Sequence, residues 1–291
     1  MQFIIYILVY PFIWVISKLP FPLLYLFSDF VCFLVYTIFG YRKKVVRENI
    51  ALTLPHLSEI ERLNIEKKFY HYMCDMFLEM MKTMSISQKE MEKRFVFTNL
   101  DLYLDLEKKG KSIALLCAHY ASYEWAVSMN YHITFEGYGI YKKINNKYFD
   151  KLVKDIRSKF KATLLSTRET IPTIEKNNKT KHLGVYGFAS DQSPRPKPLA
   201  YWRSFMGVHV PVYTGAERMA REFDIPVVFG KMNRIKRGYY EVEFKLLTDT
   251  PNQLPPNAIT DTYTEWLESQ IKEDPSQYFW THKRFKHAKN S

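Results

Sequence analysis

Residues 112–124 read Ser-Ile-Ala-Leu-Leu-Cys-Ala-His-Tyr-Ala-Ser-Tyr-Glu, and this segment decides the fold. Residues 112–118 form a short apolar run that predicts a buried strand, and residues 121–133 continue with a helical pattern. Outward from this segment, the patterns predict strands at 135–141, 162–166, 183–190, 226–233 and 239–247, and helices at 43–54, 58–86, 146–160, 211–223 and 257–273. This alternation is typical of an α/β fold with a mixed sheet flanked by helices.

The composition bounds the class of protein. With 291 residues, 47% of them hydrophobic and 25% charged, the chain can bury a core and is not a disordered polymer. A surplus of 42 Lys and Arg over 30 Asp and Glu gives a net charge of +12, which favours anionic partners. The sequence has no GxSxG, HExxH or GxGxxG motif and only three scattered cysteines. We therefore predict no metal site and no cofactor.

The first forty residues differ from the rest of the chain. Residues 3–39 are almost entirely apolar or aromatic, and a basic cluster follows at Arg42, Lys43, Lys44 and Arg47. Basic residues beside an apolar segment favour the cytoplasmic side of a membrane. We predict a membrane anchor at residues 1–40, either spanning or interfacial, and a catalytic domain at residues 41–291 on the cytoplasmic side of the inner membrane. The alternative is a hydrophobic hairpin buried against the catalytic domain.

Two histidines are followed five positions later by a glutamate, whereas eight histidines and 30 acidic residues predict about one chance match. His56 and Glu61 lie at a helix start where Ser58 and Glu61 form a capping box, which indicates a structural role. His119 instead ends the predicted buried strand, where α/β proteins place their ligands. A general base needs an orienting partner, and Glu124 in the next helical turn can supply it.

The blocks around this motif resemble a known family. His119 to Glu124 looks like the H-x4-D/E block of glycerolipid-type acyltransferases, and the chain as a whole resembles the late lipid A acyltransferases of the lauroyl/myristoyl transferase type. The similar blocks are residues 42–50, Tyr141 to Asn146 with Arg157, Ser190-Asp191-Gln192, residues 205–216, and the C-terminal segment from Pro275 to Lys286. Their order and spacing cover roughly residues 5–287.

The resemblance implies a glycerolipid acyltransferase-like fold and O-acyl transfer from an acyl thioester to a hydroxyl of a lipid A-type glycolipid. It implies that His119 is the general base and that Glu124 orients it, with acyl carrier protein or acyl-CoA as donor. It also implies substrate-binding roles, including contact of Arg168 with an acceptor phosphate. These residues are Tyr141, Arg157, Arg168, Asp191 and Gln192.

Two alternatives remain at the level of the sequence. The protein is an acyltransferase acting on another membrane lipid, such as an aminolipid or a lysophospholipid, or it is a basic membrane-binding protein without catalysis. Nucleic acid is not expected as a partner, because the basic residues are spread along the chain and form no recognised nucleic-acid module.

Overall fold

The computed structural model describes residues 2–196, 198 and 200–288. The helices are α1 (Gln2–Lys18), α2 (Phe21–Cys32), α3 (Lys43–Thr53), α4 (Glu59–Lys82), α5 (Gln88–Arg94), α6 (Leu100–Lys108), α7 (Lys147–Ser158), α8 (Thr170–Lys179), α9 (Gly215–Glu222) and α10 (Ala258–Glu273). The strands are β1 (Phe95–Phe97), β2 (Ile113–Cys117), β3 (Glu136–Tyr141), β4 (Thr163–Ser166), β5 (Gly184–Ala189), β6 (Trp202–Phe205), β7 (Val208–Pro211), β8 (Val227–Lys236) and β9 (Tyr239–Thr248). A π-helical segment, Phe33–Ile38, continues α2, and Tyr123–Tyr131, Pro251–Gln253 and Pro275–Gln277 are 3₁₀ helices.

Seven strands form one mixed sheet in the order β1-β9-β8-β2-β5-β3-β4. Strands β8, β2, β5, β3 and β4 are mutually parallel, whereas β9 runs antiparallel to β8. Ile113, Ala114 and Leu116 of β2 are almost fully buried, as the apolar run predicted for a central strand. The predicted α/β class with a mixed sheet and flanking helices is therefore confirmed.

Several local predictions differ from the structure. The helix predicted at 211–223 begins only at Gly215, because Pro211 ends strand β7 opposite Trp202 in a two-stranded hairpin. Proline lacks a backbone donor and is tolerated at such an edge. The short elements α5, β1, α6, β6 and β7 were not predicted, since segments of three to nine residues carry little periodicity.

The N-terminal helices lie against helices α4 and α7. Residues Phe21–Ile38 form one helix that is long and apolar enough to cross a membrane, judged by length and composition alone, and only 17% of it is buried. It packs mainly against α4, which starts at the predicted capping box between Ser58 and Glu61. Helix α1 contacts both α4 and α7.

The C-terminal segment joins the N-terminal helices to the centre of the sheet. The Asn49 amide of α3 donates to the carbonyls of Trp280 and His282 at 2.8 and 2.9 Å. The Phe279 N–H in turn donates to the carbonyl of His119 at 3.1 Å. This arrangement fixes the backbone at the end of β2, where the candidate base lies.

Candidate active site

The parallel register of two central strands brings a histidine and an aspartate together. Cys117 of β2 lies opposite Ala189 of β5, so two residues further along each strand His119 lies opposite Asp191. Successive side chains alternate between the faces of a sheet, and an equal advance on both strands keeps the two side chains on one face. The carboxyl ends of β2 and β5 thus form the centre of the site.

The contact between these two residues is short and buried. His119 Nδ1 lies 2.7 Å from Asp191 Oδ1, and the same oxygen accepts the His119 backbone N–H at 3.2 Å. The side chains are 21% and 2% exposed, respectively. Because a carboxylate only accepts hydrogen bonds, Nδ1 carries the proton, and Nε2 of the neutral imidazole is free to act as a base.

The surroundings raise the pKa of His119 and lower that of Asp191, and both shifts favour an ion pair between them. Burial lowers the pKa of His119, but attraction to the Asp191 carboxylate outweighs it, so this pKa is raised above its ordinary value. Burial raises the pKa of Asp191, but the charge and hydrogen bonds of His119 outweigh it, so this pKa is lowered. Asp191 therefore remains ionised and stabilises a protonated His119.

Gln192 occupies the other side of the imidazole. Its side-chain nitrogen lies 3.2 Å from His119 Nε2. Since Nδ1 already donates to Asp191, the amide of Gln192 is the donor and Nε2 the acceptor. Gln192 thus fills the position from which a substrate hydroxyl would give its proton to His119.

Glu124 contacts a different partner from the one expected. The sequence predicts that Glu124 orients His119, but in the structure its two carboxylate oxygens accept from Nε and Nη2 of Arg157 at 2.8 and 2.6 Å. The carboxylate bonded to His119 is that of Asp191. Glu124 still raises the pKa of His119 through space, whereas Arg157 lowers it.

The backbone after His119 explains this difference. Ala121 adopts a left-handed conformation with φ of 48°, and a 3₁₀ helix begins two residues later. The Tyr123 ring packs edge-on against the His119 ring at 4.9 Å between centroids. Glu124 is therefore carried past the imidazole to α7, where Arg157 lies. The prediction that Glu124 orients His119 assumes a helix directly after the strand and does not include this turn.

Neighbouring groups hold the same loop in place. The Tyr72 hydroxyl of α4 donates to the Ala121 carbonyl at 2.8 Å, and Gln277 accepts the Ala121 N–H at 3.1 Å. Ser122 Oγ donates to the buried carboxylate of Glu79 at 3.4 Å. These bonds fix a conformation that alanine seldom adopts unaided.

Two further predicted residues lie on neighbouring strand ends. Tyr141, at the end of β3, is buried and donates its hydroxyl to Asp150 at 3.2 Å, so that group supports the start of α7. Arg168 follows β4 and is exposed. Three strand spacings separate β2 from β4, which places the Arg168 backbone roughly 14 Å from that of His119.

Two residues near the site were not predicted. Arg284 is 2% exposed, donates from Nη1 to the Pro211 carbonyl at 3.0 Å and interacts electrostatically with Asp191. Burial lowers the pKa of His282 to about 4, which keeps it neutral near His119. Their position in the C-terminal block was the only sequence signal. Cys117 is no nucleophile here, because burial raises its pKa to about 12.

The larger surface depression lies elsewhere. A depression of about 330 Å³ is lined by Leu54, His56, Glu61 and neighbouring residues. A much smaller cavity of about 10 Å³ lies against Asp191, Tyr263 and Arg284. The candidate site at His119 therefore rests on chemistry and electrostatics and not on cavity volume, and Glu61 beside the larger depression is bonded to Ser58 in the capping box of α4.

Comparison with known proteins identifies the family of the chain. A family model described as bacterial lipid A biosynthesis acyltransferase matches residues 1–287. The chain belongs to this family. It is similar to the lipid A biosynthesis lauroyltransferase of Escherichia coli (strain K12), with 21% identity over 278 residues that cover 94% of this chain and 89% of that protein. The resemblance inferred from the sequence blocks is confirmed, and the protein is an acyltransferase of lipid A biosynthesis.

Proposed function

We propose that the protein transfers a fatty acyl chain from an acyl thioester, carried by acyl carrier protein or coenzyme A, to a hydroxyl of a lipid A precursor at the cytoplasmic face of the inner membrane. The observation that carries this proposal is the buried contact of 2.7 Å between His119 and Asp191 at the carboxyl edge of the sheet, in a chain of this family. His119 is the general base, and Asp191 orients it.

Proton transfer begins at Nε2 of His119. The acceptor hydroxyl displaces the Gln192 amide, donates its proton to Nε2 and attacks the thioester carbonyl carbon. Asp191 stabilises the resulting imidazolium, since its side chain is nearly inaccessible to water and its carboxylate stays ionised. The tetrahedral intermediate then expels the thiolate, which takes the proton from the imidazolium, so the histidine ends neutral. No acyl-enzyme is required.

The carbonyl oxygen becomes an anion in the transition state and needs donors. The Gln192 amide is one candidate, because displacement by the hydroxyl leaves its N–H groups next to the reacting atoms. Arg157 is a second, held at the edge of the site by the two bonds to Glu124. In this proposal Glu124 acts on the reaction by positioning Arg157 and by its charge near His119.

The acceptor head group lies along the neighbouring strand ends. Lys142 and Lys143 follow β3, and Arg168 follows β4, and all three are exposed on adjacent strands of the sheet. Lipid A precursors are phosphorylated, and these cations suit a phosphate bound two to three strands away from His119. Tyr141 and Asp150 support this region from below.

The test is acyl transfer by the purified full-length protein in detergent. Acyl carrier protein and coenzyme A thioesters are offered in turn with a lipid A precursor, and mass spectrometry detects the mass of one added acyl chain. A lysophospholipid in place of the precursor measures the alternative acceptor. His119→Ala should reduce transfer by about 10²- to 10⁴-fold, the usual contribution of a general base. His56→Ala is the matched control and should keep nearly full activity; the proposal fails if the two variants behave alike.

A further inference from the structure

Helix α1 is held by the catalytic domain at both of its ends. Near its start, the Gln2 carbonyl accepts from Asn146 at 3.3 Å and the Phe3 ring lies 5.0 Å from that of Tyr148 in α7. At its end, Lys82 of α4 donates to the carbonyls of Ser17 and Leu19 at 2.9 and 2.8 Å. A helix of 17 residues is about 25 Å long, so α1 lies along the surface of the domain for its whole length.

The second apolar helix is bonded to α4 along its length in the antiparallel direction. Three hydroxyl groups on the helix Phe21–Ile38 each donate to a buried carboxylate of α4. The pairs are Tyr25 to Glu79 at 2.8 Å, Ser28 to Asp75 at 2.7 Å and Tyr36 to Glu66 at 3.0 Å. In addition, Arg237 in the β8–β9 turn donates to Asp29 at 2.6 Å. The middle of this helix is therefore fixed against the catalytic sheet.

These bonds are incompatible with a transmembrane arrangement of Phe21–Ile38. Crossing the bilayer would either break all of them or draw α4 into the hydrocarbon with Glu66, Asp75 and Glu79. The opposite face of α4 carries the exposed Lys67 and Lys68. A charged helix of this kind is costly to place in lipid.

The free faces of both helices are apolar. On α1, side chains spaced four, four and three residues apart are 54–71% exposed: Ile4, Leu8, Phe12 and Val15. On the second helix, side chains spaced three, four and three residues apart are 52–67% exposed: Leu23, Leu26, Phe30 and Phe33. Such spacings place each set on one side of its helix.

Basic residues mark the ends of this surface. Lys18 lies at the junction of the two helices, and Arg42, Lys43 and Lys44 follow the second one. Apolar helix faces flanked by Lys and Arg are typical of interfacial helices that bind one leaflet containing anionic lipid. The chemistry of the surface thus fits a bilayer better than a second copy of this basic chain.

We propose that residues 2–38 form a two-helix platform that lies in a single leaflet, so that no segment of it crosses the membrane. This inference rests on the membrane association in the proposed function. The platform is also linked to the loop after His119 through α4, because Glu79 accepts hydrogen bonds from both Tyr25 and Ser122. It would therefore set the height of His119 above the leaflet that holds the acceptor lipid.

Thiol labelling of the full chain tests the topology. If Phe21–Ile38 spanned the membrane with the catalytic domain in the cytoplasm, Lys18 would lie on the periplasmic side. In spheroplasts of a Gram-negative host, a membrane-impermeant maleimide should leave Lys18→Cys at the background of the unmodified chain and label it only after permeabilisation. Lys44→Cys is the control, cytoplasmic in either arrangement. Labelling of Lys18→Cys but not of Lys44→Cys in intact spheroplasts would overturn the platform and leave the proposed chemistry untouched.

Vesicle binding tests the apolar face directly. The full chain is sedimented with vesicles of phosphatidylethanolamine and phosphatidylglycerol. The double variant Leu8→Glu/Phe12→Glu should bind at least about tenfold more weakly, since two large side chains lose their burial. Leu246→Glu makes the same kind of change at the far end of β9, and it should bind like wild type. Unchanged binding of the double variant would refute the platform, whereas absence of wild-type binding would refute the membrane association itself.

Discussion

Asp191→Asn is the change that best tests whether Asp191, as in the structure, or Glu124, as expected from the sequence, is the partner of His119. The amide keeps the size of the carboxylate, and its oxygen can still accept both bonds from His119. The backbone N–H of His119 favours keeping that oxygen in place, which maintains the tautomer with the proton on Nδ1. The variant therefore removes mainly the negative charge.

The loss can be estimated from the separation of the charges. Unit charges about 4 Å apart at an effective dielectric constant of 20 interact by about 4 kcal/mol, and a charge-assisted hydrogen bond exceeds a neutral one by about 1.5 kcal/mol. These bounds correspond to a reduction in kcat of about 10- to 10³-fold. Without the carboxylate, burial dominates and the pKa of His119 falls. Because a base works only when deprotonated, the acid limb of the kcat profile should move to lower pH.

Steady-state acyl transfer between pH 5 and 9 measures both effects, with acceptor and donor saturating so that kcat is read directly. Asp150→Asn is the matched control, because Asp150 is also a buried carboxylate but lies in the first turn of α7, where it is bonded to Tyr141 and the Ile144 N–H. It should leave the acid limb unchanged. The reasoning is refuted if Asp191→Asn keeps both wild-type kcat and the wild-type limb while Glu124→Gln shifts the limb.

Three further predictions follow from the same contacts. Glu124→Gln and Arg157→Gln should each lower kcat/KM. Because both changes break the same ion pair, the double variant should be no less active than the less active of the two single variants. Additive losses would contradict this pairing. Arg168→Ala should raise the acceptor KM more than it lowers kcat, and unchanged acceptor binding would exclude it from the head-group site. Burial raises the pKa of Glu79 to about 7, so between about pH 4.5 and 7 the native state keeps a proton that the unfolded state has released. The free energy of unfolding should therefore fall by about 3 kcal/mol as pH rises through this range. Urea unfolding in detergent should show this pH dependence for wild type and not for Glu79→Gln.

The central strand and the position of the candidate base at its end could be predicted because their signals are local. A run of six apolar residues, Ile113 to Ala118, followed directly by a histidine can be recognised without knowing any other part of the fold. The capping box at Ser58 and Glu61 is local in the same sense, and the structure has it as predicted. The role of His119 as base remains a proposal that the activity assay decides.

The partner of His119 could not be predicted because it depends on the order of strands. Strand β5 lies beside β2 although β3 and β4 intervene in the chain, and that crossover has no local sequence signal. The family resemblance implies only a substrate-binding role for Asp191. Only the register, with Cys117 opposite Ala189, places its carboxylate against the imidazole. The left-handed conformation of Ala121, which directs Glu124 away from His119, could not be predicted either, because alanine does not favour that conformation.

The contacts of the basic residues show which of them are free to bind an acceptor phosphate, and the net charge alone does not. Arg42 donates to the Thr281 carbonyl at 2.9 Å, and Arg47 forms two bonds with the buried Glu66. These two cations, from the basic block at residues 42–50, hold the C-terminal segment and α4 in place. We therefore propose that the phosphate is bound by exposed cations at the carboxyl edge of the sheet, namely those beside the end of β3 and Arg168, which lie on the same edge as His119.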